Sequence, residues 1–219
     1  MELTDKRLKA IADMLPACDT VADIGTDHGK LGCYLLETGR CKRLWFSDIS
    51  RDSLEKARLL CDNTGLSDKA EFCVGDGARP LPGKPDAAVI AGMGGLTIGK
   101  IISEGLDVLG NSLLVIEPNT HIYEARCALM RNGFAISEER CAEQSGRLYI
   151  IIAAKPGSAE YSFKELTAGP VLIEDRGPEA RSYAAHRLKI AEAKQAALSA
   201  AGKADAALEE EIEIWKSLL

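Results

Sequence analysis

The sequence predicts an α/β fold: a mostly parallel sheet with an antiparallel edge hairpin, followed by a C-terminal antiparallel helical hairpin. Three observations predict it. Over the first 155 or so residues, short apolar runs alternate with amphipathic segments, the rhythm of βαβ units. Most of those runs are near-continuous in apolar residues, as expected for strands buried on both faces. Beyond Lys155-Pro156-Gly157 the texture changes to a long stretch rich in Ala, Lys and Glu. The expected boundaries are residues 1–156 for the α/β domain and 157–219 for the helical arm.

The elements follow in order. Segment 4–15 predicts a helix capped by Thr4, with Leu8, Ile11, Ala12 and Leu15 on one face. "TVADIG" (20–25), "RLWFSDI" (43–49), "AEFCVGD" (70–76), "DAAVIAGM" (86–93) and "SLLVIEPN" (112–119) read as strands. Helical patterns lie between them at 28–38, 50–64, 95–109 and 121–132. "RNGFAISEERCAEQSGRLYIIIAA" then holds two strand-like runs with no helix between, which predicts the antiparallel hairpin. Pro178 suits the first turn of a helix running to about Ala201, and Gly202 ends it. A second helix over 203–218 spaces Leu208, Ile212, Trp215 and Leu219 along one face.

Bulk properties exclude some classes. No apolar run approaches the roughly 20 residues that span a bilayer. The amphipathic, acid-containing start does not resemble a signal peptide, so a cytoplasmic protein with no membrane partner is expected. Seven cysteines, an odd number without a C-x-x-C pair, predict scattered thiols and no metal. A net charge of -6 does not itself argue for nucleic acid, yet a local basic face can act within an acidic chain.

The chemistry concentrates at strand ends, where ligands bind in parallel α/β sheets. "VADIGTDHGK" (21–30) places Asp23, Gly25, Asp27 and His28 at the first turn. The glycines fall at 25, 29 and 32, so the dinucleotide fingerprint G-x-G-x-x-G is absent. Two acids in that turn repel a pyrophosphate. A ligand with positive charge and no phosphate fits better, and S-adenosylmethionine is such a molecule. Asp48, followed by Ile49, ends the second strand at about the distance of a ribose-binding acid. Asp76, followed by Gly77, ends the third and suits an adenine amino group. The fourth strand ends in "AGMGG" (91–95), where Gly92 and Met93 lie beside the expected cofactor.

Taken in order, "VADIGTDHGKLGCYLL", "GDG", "IAGMGG", "EPN" (117–119) and "RLYIII" resemble the bacterial tRNA (adenine-22-N1)-methyltransferase family over nearly the whole chain. The resemblance implies a Rossmann-like class I methyltransferase fold. It also implies methyl transfer from S-adenosylmethionine to N1 of adenine 22 in the D-loop region of tRNA. Two positions depart from the family pattern: Glu117 stands where Gln is expected, and Lys30 replaces an aromatic residue.

Within that expectation, Asp27 either faces the charge developing on the base or holds the cofactor's ammonium. His28 and Glu117 are the next catalytic candidates, His28 alternatively capping the following helix. Asn119 either closes a turn or hydrogen-bonds the target base. Phosphate contacts are expected from Lys6, Arg7 and Lys9 on the first helix. On the arm they are expected from Arg176, Arg181, Arg187, Lys189 and Lys194. The arm either contacts tRNA or dimerises through Leu208, Ile212 and Trp215, so a monomer or weak dimer is expected. A methyltransferase acting on a small molecule or another RNA, and a non-catalytic RNA-binding protein, are the rival readings.

Overall fold

The computed structural model describes residues 2–175 and 177–219, so the expectation for Arg176 lies outside the described residues. Among the described residues, seven strands form one sheet: β1 (Cys18–Ile24), β2 (Cys41–Asp48), β3 (Ala70–Val74), β4 (Ala87–Gly94), β5 (Leu113–Thr120), β6 (Phe134–Gln144) and β7 (Arg147–Pro156). Their order is β3-β2-β1-β4-β5-β7-β6. The first five run parallel; β7 pairs antiparallel with β5, and β6 antiparallel with β7. The order reverses between β1 and β4, which opens a crevice beyond their C-terminal ends.

The apolar runs are explained by two cores, one on each face. Val21, Leu44, Phe46, Val89 and Val115 enter one. Ala22, Ile24, Ala88, Ile90, Leu114 and Ile116 enter the other. Successive strand residues point to opposite faces, and here both faces are covered.

Helices α1 (Lys6–Met14), α2 (Lys30–Glu37) and α3 (Arg51–Thr64) contribute to the first core. Helices α4 (Gly95–Glu104), α5 (Leu106–Leu109) and α6 (Ile122–Arg131) contribute to the second. Three local expectations are corrected. The cap of α1 is Asp5 rather than Thr4: its Oδ1 accepts from the amides of Arg7 at 2.9 Å and Leu8 at 3.1 Å. The 95–109 pattern is two helices, broken at Gly105. The cap position of α2 is Gly29, so His28 is not the helix cap.

The C-terminal region contains α7 (Phe163–Ala168), α8 (Pro178–Ala200) and α9 (Ala206–Lys216). Pro178 opens α8 and Gly202 follows its end with φ 68°, as the sequence predicts. Leu208, Ile212 and Trp215 lie in the same core as α4 and α6, each 3% exposed or less. That burial removes them from any dimer surface. Leu219 is exposed, and Leu218 takes the inward place.

A buried ion pair ties α7 to the sheet. Arg126 on α6 donates to Glu139 on β6 at 2.8 Å and to the carbonyls of Leu166 and Thr167 at 3.1 and 2.9 Å. Glu139 also accepts from the amides of Val171 and Leu172 at 3.0 and 3.2 Å. Both side chains are fully buried, and every one of these bonds satisfies a group that water cannot reach. Among the described residues, no helix is long and apolar enough to cross a membrane.

Candidate functional site

A cleft of about 810 Å³ lies beyond the C-terminal ends of β1, β4 and β5. Of the candidate site residues named from sequence, Arg7, Asp23, Gly25, Asp27, His28, Gly92 and Asn119 line it, as does Lys30. Gly25 turns the chain out of β1 with φ 79°, a left-handed conformation that suits glycine. A Cβ there would overlap the terminal methyl of Met93. The Gly25 and Thr26 amides both donate to the Ser47 carbonyl, at 2.7 and 3.3 Å, which fixes the turn against β2. At Gly25 the cleft is therefore lined by backbone alone.

Asp23 is 7% exposed at the end of β1. Burial pushes its carboxyl up to about 6; the Thr26 hydroxyl opposes this by hydrogen bonding, and the charge of Asp48 adds to it. Asp27 and His28 are exposed at the rim, with His28 Nε2 3.2 Å from Asp27 Oδ2. Asp48 accepts from the Ser50 amide at 2.7 Å with one oxygen. Ile49 projects outward, 74% exposed. Asp76 lies two residues past the end of β3 and faces Lys100 at 3.5 Å. Gly77 is tied to β2, its carbonyl accepting from the Ser47 hydroxyl at 2.8 Å. Asp48, Ile49, Asp76, Gly77 and Met93 thus share the strand-end edge without lining the cleft.

Glu117 is fully buried behind the cleft on β5. Its Oε2 accepts from Arg7 Nη1 at 2.7 Å and from the Gly92 amide at 2.9 Å. Its Oε1 has no hydrogen-bond partner among the described residues. Burial pushes this carboxyl up, and Arg7 and the Gly92 amide pull it partly back. Asn119, two residues on, is exposed at the mouth.

The expected phosphate-binding cations divide. Arg7 is committed to Glu117 inside the cleft, because the buried carboxylate needs a counter-charge. Arg187 donates to Glu211 at 3.1 Å and stacks on Trp215 within the helical hairpin. Lys9 faces Asp13 at 3.4 Å. Lys6, Arg181, Lys189 and Lys194 are exposed and carry no ion pair among the described residues. Sequence reasoning missed Gln144, Arg147 and Tyr149, which line the cleft from the β6–β7 hairpin. Their signal is spatial: they reach the site only when β7 pairs antiparallel with β5.

Comparison with known proteins agrees with this geometry. A family profile described as a methyltransferase domain matches residues 4–152. The tRNA (adenine(22)-N(1))-methyltransferase of Bacillus subtilis is 32% identical over 179 residues, 78% of this chain and 75% of that one. A crystal structure of a Streptococcus pneumoniae putative tRNA (m1A22) methyltransferase in complex with S-adenosyl-L-methionine superposes with a TM-score of 0.89 at 25% identity, covering 99% of this chain and 100% of that one. The crystal structure of the B. subtilis m1A22 tRNA methyltransferase gives a TM-score of 0.88 at 25% identity, covering 99% and 98%. By sequence and by fold, the chain belongs to the bacterial tRNA (adenine-22-N1)-methyltransferase family.

Proposed function

We propose that this protein transfers a methyl group from S-adenosylmethionine to N1 of adenine 22 in the D-loop region of tRNA. The observation that carries the reading is the B. subtilis relative, matched over three-quarters of its length and named for that reaction. The cleft supports it independently. Its first turn joins a buried acid, a rim acid and a glycine whose left-handed φ disfavours a side chain, which suits a cationic, phosphate-free ligand.

These residues fit the cofactor. Asp23 and the Gly25 backbone form the cradle for its amino-acid end, Asp48 takes the ribose hydroxyls, and Asp76 with Gly77 borders the adenine. When bound, S-adenosylmethionine supplies an electrophilic methyl on a sulfonium.

The chain's own work is largely positional. N1 of adenine carries a free lone pair, so no proton must leave before it attacks. Bringing it into line accounts for much of the acceleration. N1 is masked in a base pair, so the base must be unpaired or extruded to reach the cleft. The methylated ring is cationic, and Asp27, beside His28 at the rim, faces that charge. Asn119 hydrogen-bonds the base at the mouth. Exposed Lys6 and the arm cations Arg181, Lys189 and Lys194 hold the RNA backbone. The site acts in the cytoplasm, where its substrate resides.

The test is methyl transfer from labelled S-adenosylmethionine to an unmodified tRNA transcript, with the product nucleoside identified by mass spectrometry. The expected product is N1-methyladenosine at position 22, absent when that adenine is replaced by guanine. Label in a small molecule but never in tRNA would sink the reading.

A further inference from the structure

The β6–β7 hairpin closes one side of the cleft. Ser145 and Gly146 turn it, with φ 53° and 76°, and the two strands pair from Gln144↔Arg147 onward. The tip is fastened to α1, since the Lys6 amide donates to Gln144 Oε1 at 2.8 Å. Because β7 is antiparallel to β5, its first residues lie where β5 ends. The register Ile116↔Ile152, continued outward, brings Tyr149 level with Asn119. β7 stands three places from β1 in the sheet, roughly 14 Å across at the usual strand spacing. Tyr149 therefore faces the cleft from the side opposite Asp23.

Arg147 and Tyr149 alternate along β7 onto the face that packs against α1, the face of Ile151 and Ala153. The guanidiniums of Arg7 and Arg147 each lie 5.5 Å from the Tyr149 ring centroid. Arg7 is anchored by Glu117. Arg147 is exposed and makes no ion pair among the described residues. An arginine that served only to cover the ring would need no free charge at the mouth. Arg147 pairs with Gln144, whose side chain holds the Lys6 amide, so exposed Lys6, which makes no ion pair among the described residues, lies close by. The rim also carries the acids Glu2 and Asp5, on the N-terminal segment.

We propose that Tyr149 is the surface against which the acceptor base packs, and that Arg147 holds the phosphate of that nucleotide or its neighbour. The inference rests on the tRNA reading above and adds to it the residues that recognise the extruded nucleotide. An aromatic ring suits any base face, and an anchored guanidinium behind it keeps the ring from turning. Tyr149 is a positioning residue here: it sets where N1 sits, and it does no proton transfer.

The experiment uses the full chain and an unmodified tRNA transcript. Tyr149→Leu is expected to lower kcat/KM for tRNA roughly 5- to 150-fold, the range of lost base stacking. Cofactor affinity, read by titration calorimetry, should stay within about twofold, a split that general misfolding would not give. Tyr149→Phe and Tyr149→Trp should restore activity to within about threefold of the parent, because the ring and not the hydroxyl is needed. Arg147→Ala should raise KM for tRNA and reduce the salt slope of binding by about one. Leu-variant activity within twofold of the parent, or a Phe variant as impaired as the Leu variant, overturns the role of Tyr149. An unchanged salt slope in Arg147→Ala overturns the phosphate contact. A parent enzyme that leaves tRNA unmethylated removes the tRNA reading and this inference with it, and that result appears before any variant is made.

Discussion

Arg7 and Glu117, 110 positions apart in the chain, meet at 2.7 Å, and the same carboxylate oxygen takes the Gly92 amide at 2.9 Å. One contact thus ties α1, the end of β4 and the end of β5 into a single wall of the cleft. Arg7→Ala leaves a buried carboxylate without its cation and is expected to cost about 3–5 kcal/mol. Without Arg7 the Glu117 carboxyl moves further up, so the folded state favours its neutral form. The loss should therefore grow as pH rises above the usual carboxylate range and shrink toward pH 4. Glu117→Gln, which keeps an acceptor for the Gly92 amide, should cost about 1 kcal/mol or less. Urea unfolding of both variants at pH 5 and pH 8 checks the order and the pH trend.

Asp23 gives a second pH signature. Its folded-state value of about 6 lies above its ordinary one, so the folded state binds the proton more tightly than the unfolded chain does. Stability should fall as pH rises from about 4 to 6, by on the order of 2–3 kcal/mol, and stay level above that. Asp23→Asn should remove the slope. A cationic ligand prefers the ionised carboxylate, so affinity for S-adenosylmethionine should drop up to about tenfold per unit below pH 6. Calorimetric titrations between pH 5 and 8 would show a flat profile if Asp23 does not touch the cofactor.

Gly25→Ala should fail on backbone conformation. The φ of 79° costs an alanine roughly 1–2 kcal/mol, whereas its methyl meets the flexible end of Met93, which can swing aside. Cofactor binding is expected to weaken at least tenfold, with a melting temperature lower by a few degrees. Adding Met93→Ala removes that contact but not the dihedral, so it should recover little of the loss. Complete recovery would show that the backbone conformation is unimportant.

Arg126 and Glu139 make a different case from Arg7 and Glu117. Replacing both by apolar residues of similar size is often harmless for a buried pair. Here it strips partners from the carbonyls of Leu166 and Thr167 and the amides of Val171 and Leu172. Arg126→Met is expected to cost about 3–5 kcal/mol, and adding Glu139→Leu should not restore the parent midpoint in denaturant. Full restoration would mean that those backbone groups find water.

Much of this architecture was legible from residue order, and the reason is burial. Strands covered on both faces announce themselves as unbroken apolar runs, as "AAVI" at 87–90 does. The glycine and acids around the end of β1 pointed to a strand-end site, and a cleft lined by Asp23, Gly25 and Asp27 opens there. The failures share a cause as well. α7 is only 6 residues long and too brief for periodicity, although Ser162 and Glu165 spell out the capping box that starts it. Asp5 displaced Thr4 as a cap because cap choice turns on one hydrogen bond, which spacing does not reveal. Arg7 looked like a surface cation until β5 placed an acid beneath it. Tyr149 and Arg147 gave no local signal, since they meet residue 7 only through the pairing of β5 with β7.

The wall built by Arg7, Glu117 and Tyr149 also sets a timetable. Its last member, Tyr149, leaves the ribosome 142 residues after its first, Arg7. At about 5–20 residues per second, α1 waits roughly 7–30 s for the strand that completes this wall. The early βα units can pair as they emerge, but the acceptor side of the cleft cannot exist before β7 does. A nascent chain stalled short of Tyr149 would carry most of the cofactor cradle and no complete mouth. Binding of the methyl donor should therefore precede competence for RNA during the protein's own birth.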